Sequence, residues 1–325
     1  MERKTLIPDD LRTISWFNNT IIDWANSGNV YFPNGEVKTL GQYNFALNFN
    51  GAIMSSNGKY AFIYQRFGTK GLLLKEGELL REINRSYYYA DVYEYPAAFT
   101  TVNEITYLIH CPVKYCQLDF ENVETGEIIT NINTRNPESE DVFHSRLEIS
   151  PDNTFLISKG WVWHPLDVIR VFNINDCILN PALLDKPGLY PNVSAEICTA
   201  SFINNTKVLI GSSAETIDDE DLRLPPKHIA VWDLENNHIS KPIKVKGDFG
   251  NLFTINDDWA WDTLSFPKII NIHTGEIIDK NEIIDSGIQN SSIIQQYDRL
   301  PQIIFNRHTK QLAIAHQGKI EILTP

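Results

Sequence analysis

Repetition constrains this chain more than any other feature. One plan, strand, turn, strand, loop, strand, turn, recurs along all 325 residues with a period of roughly 40–50 residues. The clearest copy is Arg146–Asp176. Arg146–Ser150 alternates apolar and polar residues and stops at the turn cluster Ser150-Pro-Asp-Asn153. Thr154–Lys159 is a second run rich in β-formers. Val168–Ile174 is a third, alternating at period two and ending at Asn175-Asp176. No window in the copy repeats at helical spacing.

The turns between the first and second strands (a and b) align along the chain. They are Phe17-Asn-Asn-Thr20, Ser55-Ser-Asn-Gly58, Thr101-Val-Asn-Glu104, Ser150-Pro-Asp-Asn153, Ile203-Asn-Asn-Thr206, Ile255-Asn-Asp-Asp258 and Asn306-Arg-His-Thr309. Asn, Asp and Gly belong there because they tolerate left-handed backbone or cap the turn with their own side chains. The bends between strands c and d repeat as well. Pro33-Asn-Gly-Glu36, Lys75-Glu-Gly-Glu78, Glu124-Thr-Gly-Glu127 and His273-Thr-Gly-Glu276 place Gly in the bend, and Asn175-Asp176 and Asn236-Asn237 stand in its place in two units. Short outer strands such as Glu127–Ile132 and Glu276–Asp279 should follow.

Seven such units predict an all-β fold: a single domain, residues 1–325, forming a seven-bladed β-propeller of four-stranded antiparallel blades. The seventh unit lacks its outer strand, because Lys319–Leu323 runs directly into Thr324-Pro325. The N-terminal Lys4–Ile7 has no other obvious partner. It is expected to supply that strand and close the ring, since an open ring would leave two unpaired edges.

These units resemble WD40-type repeats. Ser150-Pro-Asp-Asn-Thr-Phe-Leu-Ile-Ser158 resembles the a–b turn of that family, and Ile229-Ala-Val-Trp-Asp-Leu234 resembles its c strand with the Trp-Asp ending. One unit carries the Trp-Asp pair, Phe172-Asn173 and similar pairs occupy the place elsewhere, and no Gly-His pair occurs. The resemblance implies a rigid interaction platform, without catalysis in most members.

Charge narrows the class of partner. A net charge of −13 argues against nucleic acid and anionic membrane, which need a Lys/Arg surface, and admits a basic partner. Met1–Asp10 lacks the apolar core of a leader, and no stretch approaches the length of a membrane span, so a cytoplasmic location is expected. Four cysteines make no disulfide framework. Cys111 and Cys116 flank the short loop CPVKYC and are expected to be reduced and buried.

Loops held by a rigid scaffold carry function. The b–c loops and d–a connections share one face of a propeller. Sorting them brings Tyr87, Tyr88, Tyr89, Tyr93, Tyr95, Trp161, Trp163, Tyr190 and Trp261 toward one surface, with His164 beside them. The acidic run Asp218, Asp219, Glu220 and Asp221, in the longest hairpin loop, joins them as a rim. Stiff aromatic loops make interface anchors, and an acidic rim steers a basic protein. The expected function is therefore protein binding through this aromatic and acidic face, with no cofactor; oligomeric state is left open. A metal-dependent hydrolase or lactonase is an alternative, drawing on His110, His164, His316, Asp262 and Glu148 at strand ends. No pair of these sits at metal-ligand spacing, and no nucleophile elbow or phosphate-binding loop appears. A propeller that stacks a small molecule or glycan on its aromatics is the remaining alternative.

Overall fold

The structure is a computed structural model describing all residues except 133, 134, 136–139, 219, 222 and 295–299. It is a seven-bladed β-propeller. Four blades are regular: blade 1 (Ser15–Phe17, Thr20–Asp23, Asn29–Tyr31, Val37–Thr39), blade 2 (Gly51–Met54, Tyr60–Tyr64, Lys70–Lys75, Glu78–Asn84), blade 6 (Leu252–Thr254, Trp259–Asp262, Lys268–Asn271, Ile277–Lys280) and blade 7. Strands within each of these blades pair antiparallel, in chain order from the axis outward except for the outermost strand of blade 7. In blade 1 the a–b turn has Asn18 and Asn19 both at positive φ, 46° and 61°, the geometry that joins twisted strands through a two-residue bend.

Blade 7 consists of Gln302–Phe305, Leu312–His316, Lys319–Thr324 and, outermost, Glu2–Leu6. Register runs from Glu2 opposite Thr324 to Leu6 opposite Ile320. The N-terminal strand closes the ring, two residues earlier than expected: it starts at Glu2, and Ile7 lies beyond it, largely exposed. Leu6 fixes this register, as the buried residue of the strand. Arg3 and Thr5 both reach Glu321, at 2.8 and 2.6 Å.

Three blades depart from the plan, each for a local reason. In blade 3 (Ala98–Val102, Ile105–His110, Asp119–Asn122) the expected outer strand Glu127–Ile132 is reduced to one bridge, Glu121 to Ile128. Side-chain bonds replace the ladder there: Thr130 Oγ1 donates to Asp119 and accepts from the N–H of Phe120. In blade 4 (Val142–Phe143 and Glu148–Ile149, then Phe155–Val162 and Leu166–Asn173) the expected bend at Asn175-Asp176 opens an α-helix, Ile174–Leu179. Asn173 caps it by accepting from the N–H of Asp176. In blade 5 (Ile197–Phe202, Lys207–Ser212, His228–Asp233) the outer strand is split into His238–Ile239 and Ile243–Lys244. Pro242 falls between the pieces and has no N–H for a ladder.

The end of strand c shows why an Asn or Asp recurs there. Asn122, Asp233 and Asn271 each turn a side-chain oxygen onto two backbone N–H groups of the following bend. Asn173 accepts one such N–H, that of Asp176, at the start of the helix of blade 4. The Trp-Asp ending of blade 5 is thus one version of a cap that Asn supplies elsewhere.

The hydrophobic core is divided among the blade interfaces. Seven buried clusters each straddle two neighbouring blades, and together they run once around the ring. Blades 7 and 1, for example, share Leu6, Ile14, Ile21, Ala313 and Ile320. Each blade lies between two others and so buries apolar residues on both of its faces. Two rings expected at the surface belong to this core. Tyr95 packs between blades 2 and 3, and Trp261 between blades 6 and 7, with its indole N–H donated to the carbonyl of Lys310.

Candidate functional site

An eighth cluster belongs to no single blade interface. It sits on the face of the b–c loops and is built on Phe143 and Trp161. These two residues are directly opposite each other where the inner strand of blade 4 meets Phe155–Val162. Their rings stack at 3.9 Å and 4°. Gly160 permits the approach, because a Cβ there would lie 2.2 Å from the carbonyl oxygen of Phe143.

Five more rings surround Phe143. Tyr115 stacks on it at 4.6 Å, while Tyr93 and Trp163 meet it edge-on at 5.4 Å. Tyr88 and Tyr89 complete the ring at 6.0 Å and touch each other at 4.8 Å. Phe143, Tyr93 and Trp161 are buried; Tyr88, Tyr89 and Trp163 are exposed, and neighbouring Tyr87 is 87% exposed. The site is therefore a buried aromatic base carrying an exposed aromatic rim. Tyr93 and Trp161, expected as contact surface, are instead the base: strand pairing and stacking enclose them.

Buried Arg85 holds the Tyr87–Tyr95 loop. Its guanidinium lies 4.5 Å from the Tyr93 ring centre and 4.9 Å from that of Tyr95, and donates to the carbonyls of Gly68, Ala90 and Tyr93. Tyr89 has a left-handed backbone, φ 51°, and His164, exposed at the tip of the neighbouring hairpin, has φ 92°. Such angles are uncommon for non-glycine residues, and for a bulky ring such as Tyr89 they carry a steric cost that surrounding contacts must offset.

Among the described residues, Asp91 and Asp141 are exposed acids near the rim. Asp141 accepts from the Tyr115 hydroxyl at 2.5 Å, and burial together with that carboxylate pushes the phenol's pKa upward. The predicted acidic run lies elsewhere. Among its described members, Asp218 and Glu220 are exposed, whereas Asp221 is held by Arg223 and the N–H of Ser194, which keep its carboxyl well below the usual range. Asp219 lies outside the described residues. Tyr190 is also apart from the cluster, against Arg170 at 5.2 Å, which pairs with Glu140. Phe143 and Tyr115 were missed by the sequence reading. Reading Val142-Phe143-His144 as a strand opposite Trp161 would have found the first; nothing local marks the second.

The same face carries a segment that crosses the hub from the connection between blades 6 and 7. The backbone N–H of Ser292 donates to Asp167 of blade 4 at 2.7 Å, and that of Ile294 to the carbonyl of Val92 at 2.8 Å. Gln289 bridges Glu94 and Asn251, and Ile293 packs beside the aromatic base. Below it Arg66 pairs with Glu94 at 2.6 Å. Burial works to raise the Glu94 pKa, but Arg66 and Arg146 outweigh it and hold the carboxyl low.

The residues weighed for metal chemistry do not converge. His110 is buried against Glu121, Glu148 is held by Lys159 and Arg307, Asp262 by Lys268, His316 lies near Asp285, and His164 is on the outer face. Among the described residues no three His, Cys, Asp or Glu side chains form a metal-holding group. His144 and Ser158 make a buried hydrogen bond at 2.9 Å against the ring of Phe172, tying the link between the two inner strand pieces of blade 4 to Phe155–Val162.

No family model and no curated protein matches this sequence. Among solved structures, a chain in a crystal structure of a mitotic checkpoint complex is similar over 99% of this chain and 91% of its own length, with a TM-score of 0.60 and 13% identity. At that identity the likeness is one of fold, the seven-bladed β-propeller described above.

Proposed function

We propose that this chain is a non-catalytic, cytoplasmic protein-interaction module that captures a basic partner protein on the aromatic rim of its loop-rich face. The observation that carries the reading is the exposure of Tyr87, Tyr88, Tyr89 and Trp163 around a stacked, buried base. Rings held this way offer large contact area with little conformational entropy left to lose, which is the character of interface anchors. Asp91 and Asp141 beside the rim, in a chain of net charge −13, favour Lys or Arg on the partner. The similar solved chain belongs to a protein complex, which supports the same class of role.

The test is binding of immobilised protein to an array of peptides matched in length and differing in charge. Lys/Arg-rich peptides should be retained and acidic ones excluded. Retention should fall about tenfold or more in Trp163→Ala with the unfolding midpoint unchanged. Equal retention by wild type and Trp163→Ala would remove the rim from the binding surface.

A further inference from the structure

The face that carries the aromatic rim has a second apolar patch, on the preceding d–a connection. Residues 40–50 lead from blade 1 to blade 2, and on them Tyr43 and Leu47 are 44% and 48% exposed. That is as open as Tyr88, Tyr89 and Trp163 on the rim, at 40%, 42% and 38%. The patch is held from beneath. Tyr43 and Phe45 meet at 6.0 Å, and Phe45 meets buried Phe49 edge-on at 6.4 Å. The backbone is tied to the b–c loop of blade 1: the carbonyl of Tyr43 accepts from the N–H of Ser27 at 3.0 Å, and the N–H of Phe45 donates to Ala25 at 3.1 Å. A fixed backbone thus presents these side chains to solvent, as it does on the rim.

Acids border the patch on one side. Asp9 and Asp10, both exposed, stand on the connection from blade 7 to blade 1. Asn26 links them to the patch, donating to the carbonyl of Asp10 at 2.6 Å and accepting from Asn44 at 3.2 Å. Residues 40–50 carry no charge, and residues 7–14 carry Asp9, Asp10 and Arg12, so two aspartates against one arginine leave a net charge of −1. Arg12 lies 3.7 Å from Asp10, and its guanidinium also donates to the carbonyl of Phe45. On the other side lies the rim, joined through Arg66 in the b–c loop of blade 2. The N–H of Arg66 donates to Asn50, at the end of the patch connection, at 2.8 Å. Its carbonyl accepts from the N–H of Tyr95, at the end of the rim loop, also at 2.8 Å. One residue fastens both connections, and half-buried Phe67 follows it on the loop between them.

Exposed apolar side chains with an acidic border therefore recur at two fixed points of one face, and both points suit the same partner chemistry. We propose that the basic partner inferred above docks at both, through an extended Lys/Arg-bearing segment, a proposal that rests on the reading of the rim as a binding surface. The segment runs from the rim across the loop of Arg66 and Phe67 to Tyr43 and Leu47, with its cations beside Asp91 and Asp141 at one end and Asp9 and Asp10 at the other. Once one point is engaged, contact at the second is intramolecular and escapes the entropy cost of a separate association.

The probes are two Lys/Arg-rich peptides of one repeat, of about 8 and about 30 residues; the longer extends to about 100 Å, enough to cross a fold of this size. Isothermal calorimetry on the full chain at physiological salt gives both affinities. The short peptide takes the rim, which offers four exposed rings against one. Wild type should bind the long peptide about tenfold or more tightly than the short one. Tyr43→Ala combined with Leu47→Ser should remove that gain and leave the short peptide unchanged. Asp9→Lys, which changes charge at an exposed position, should reduce the gain severalfold, and it decides the outcome if the double variant unfolds at a lower midpoint. No gain in wild type, or the same gain in both variants, would overturn the proposal and leave the rim as the binding surface. Short-peptide binding that is unchanged in Trp163→Ala would remove the rim, and two-point docking with it.

Discussion

Ser292 donates its backbone N–H to the carboxylate of Asp167 at 2.7 Å, across 125 positions of sequence. The bond joins the connection between blades 6 and 7 to blade 4, across the hub. Arg307 does the same nearer the opposite end of the hub, reaching from blade 7 to Glu148 and the carbonyl of Ile149. Contacts between neighbouring blades close the circle; these two ties brace it along a diameter. Replacing Asp167 with Ala leaves a buried N–H unpaired and should cost about 1–3 kcal/mol. Limited proteolysis, followed by mass spectrometry, should then cut near the crossing segment sooner than in wild type, at a protease dose that leaves the blades intact.

The aromatic base and its rim should separate cleanly by mutation. Phe143→Ala removes the ring around which the cluster is built and should cost about 3–5 kcal/mol. Trp163→Ala, on the exposed rim, should change stability by less than about 1 kcal/mol. Urea titrations of both variants check this, and similar midpoints would mean that the cluster is not organised around Phe143.

Ring closure should depend on packing more than on charge. Arg3→Ala breaks a partly exposed ion pair and should cost under about 1 kcal/mol. Removing Met1–Leu6 deletes a whole ladder and the buried Leu6, exposing the edge of Lys319–Thr324. That loss should exceed about 3 kcal/mol and promote association between chains. Chemical unfolding and light scattering measure the two effects.

His144 makes stability depend on pH. Burial, and secondarily the nearby charge of Arg170, lower its pKa to about 3, against an ordinary value of 6.5. The unfolded chain therefore binds a proton below pH 6.5 that the folded chain refuses. Stability present above that pH should be lost as pH falls from 6.5 toward 3, with a slope approaching about 1.4 kcal/mol per pH unit. His144→Asn should flatten this part of the profile relative to wild type, and a parallel profile in the variant would show that another group is responsible.

All four cysteines are buried and none is in a disulfide. Burial pushes the Cys111 thiol far up, Cys177 to about 12 and Cys198 higher still. Thiol reagents should label none of the four in the native protein at neutral pH and all four after denaturation, as intact mass would show. Fast labelling of Cys111 or Cys198 in the native state would mean that their blades open.

The architecture was legible in the sequence because its signals are local. Asn-rich a–b turns, Gly bends and period-two runs each report on a few adjacent residues, and repetition multiplied them around the ring. The missing partner of Lys319–Thr324 likewise pointed to the N-terminal strand. Where a local signal had two outcomes, the reading failed: an Asn at the end of strand c caps a bend in other blades, but in blade 4 Asn173 starts the helix Ile174–Leu179. The site was only partly legible. Loop aromatics could be counted, yet whether a ring is base or rim depends on what lies across from it. Trp161 is buried because Phe143 pairs with it in register, Trp261 because blade 7 covers it, and Trp163 is exposed in the turn that follows the paired strand. Those distinctions, and the union of Arg146, Ser292 and Asp167 at the hub, come from segments brought together only when the ring closes, so tertiary structure alone decides them.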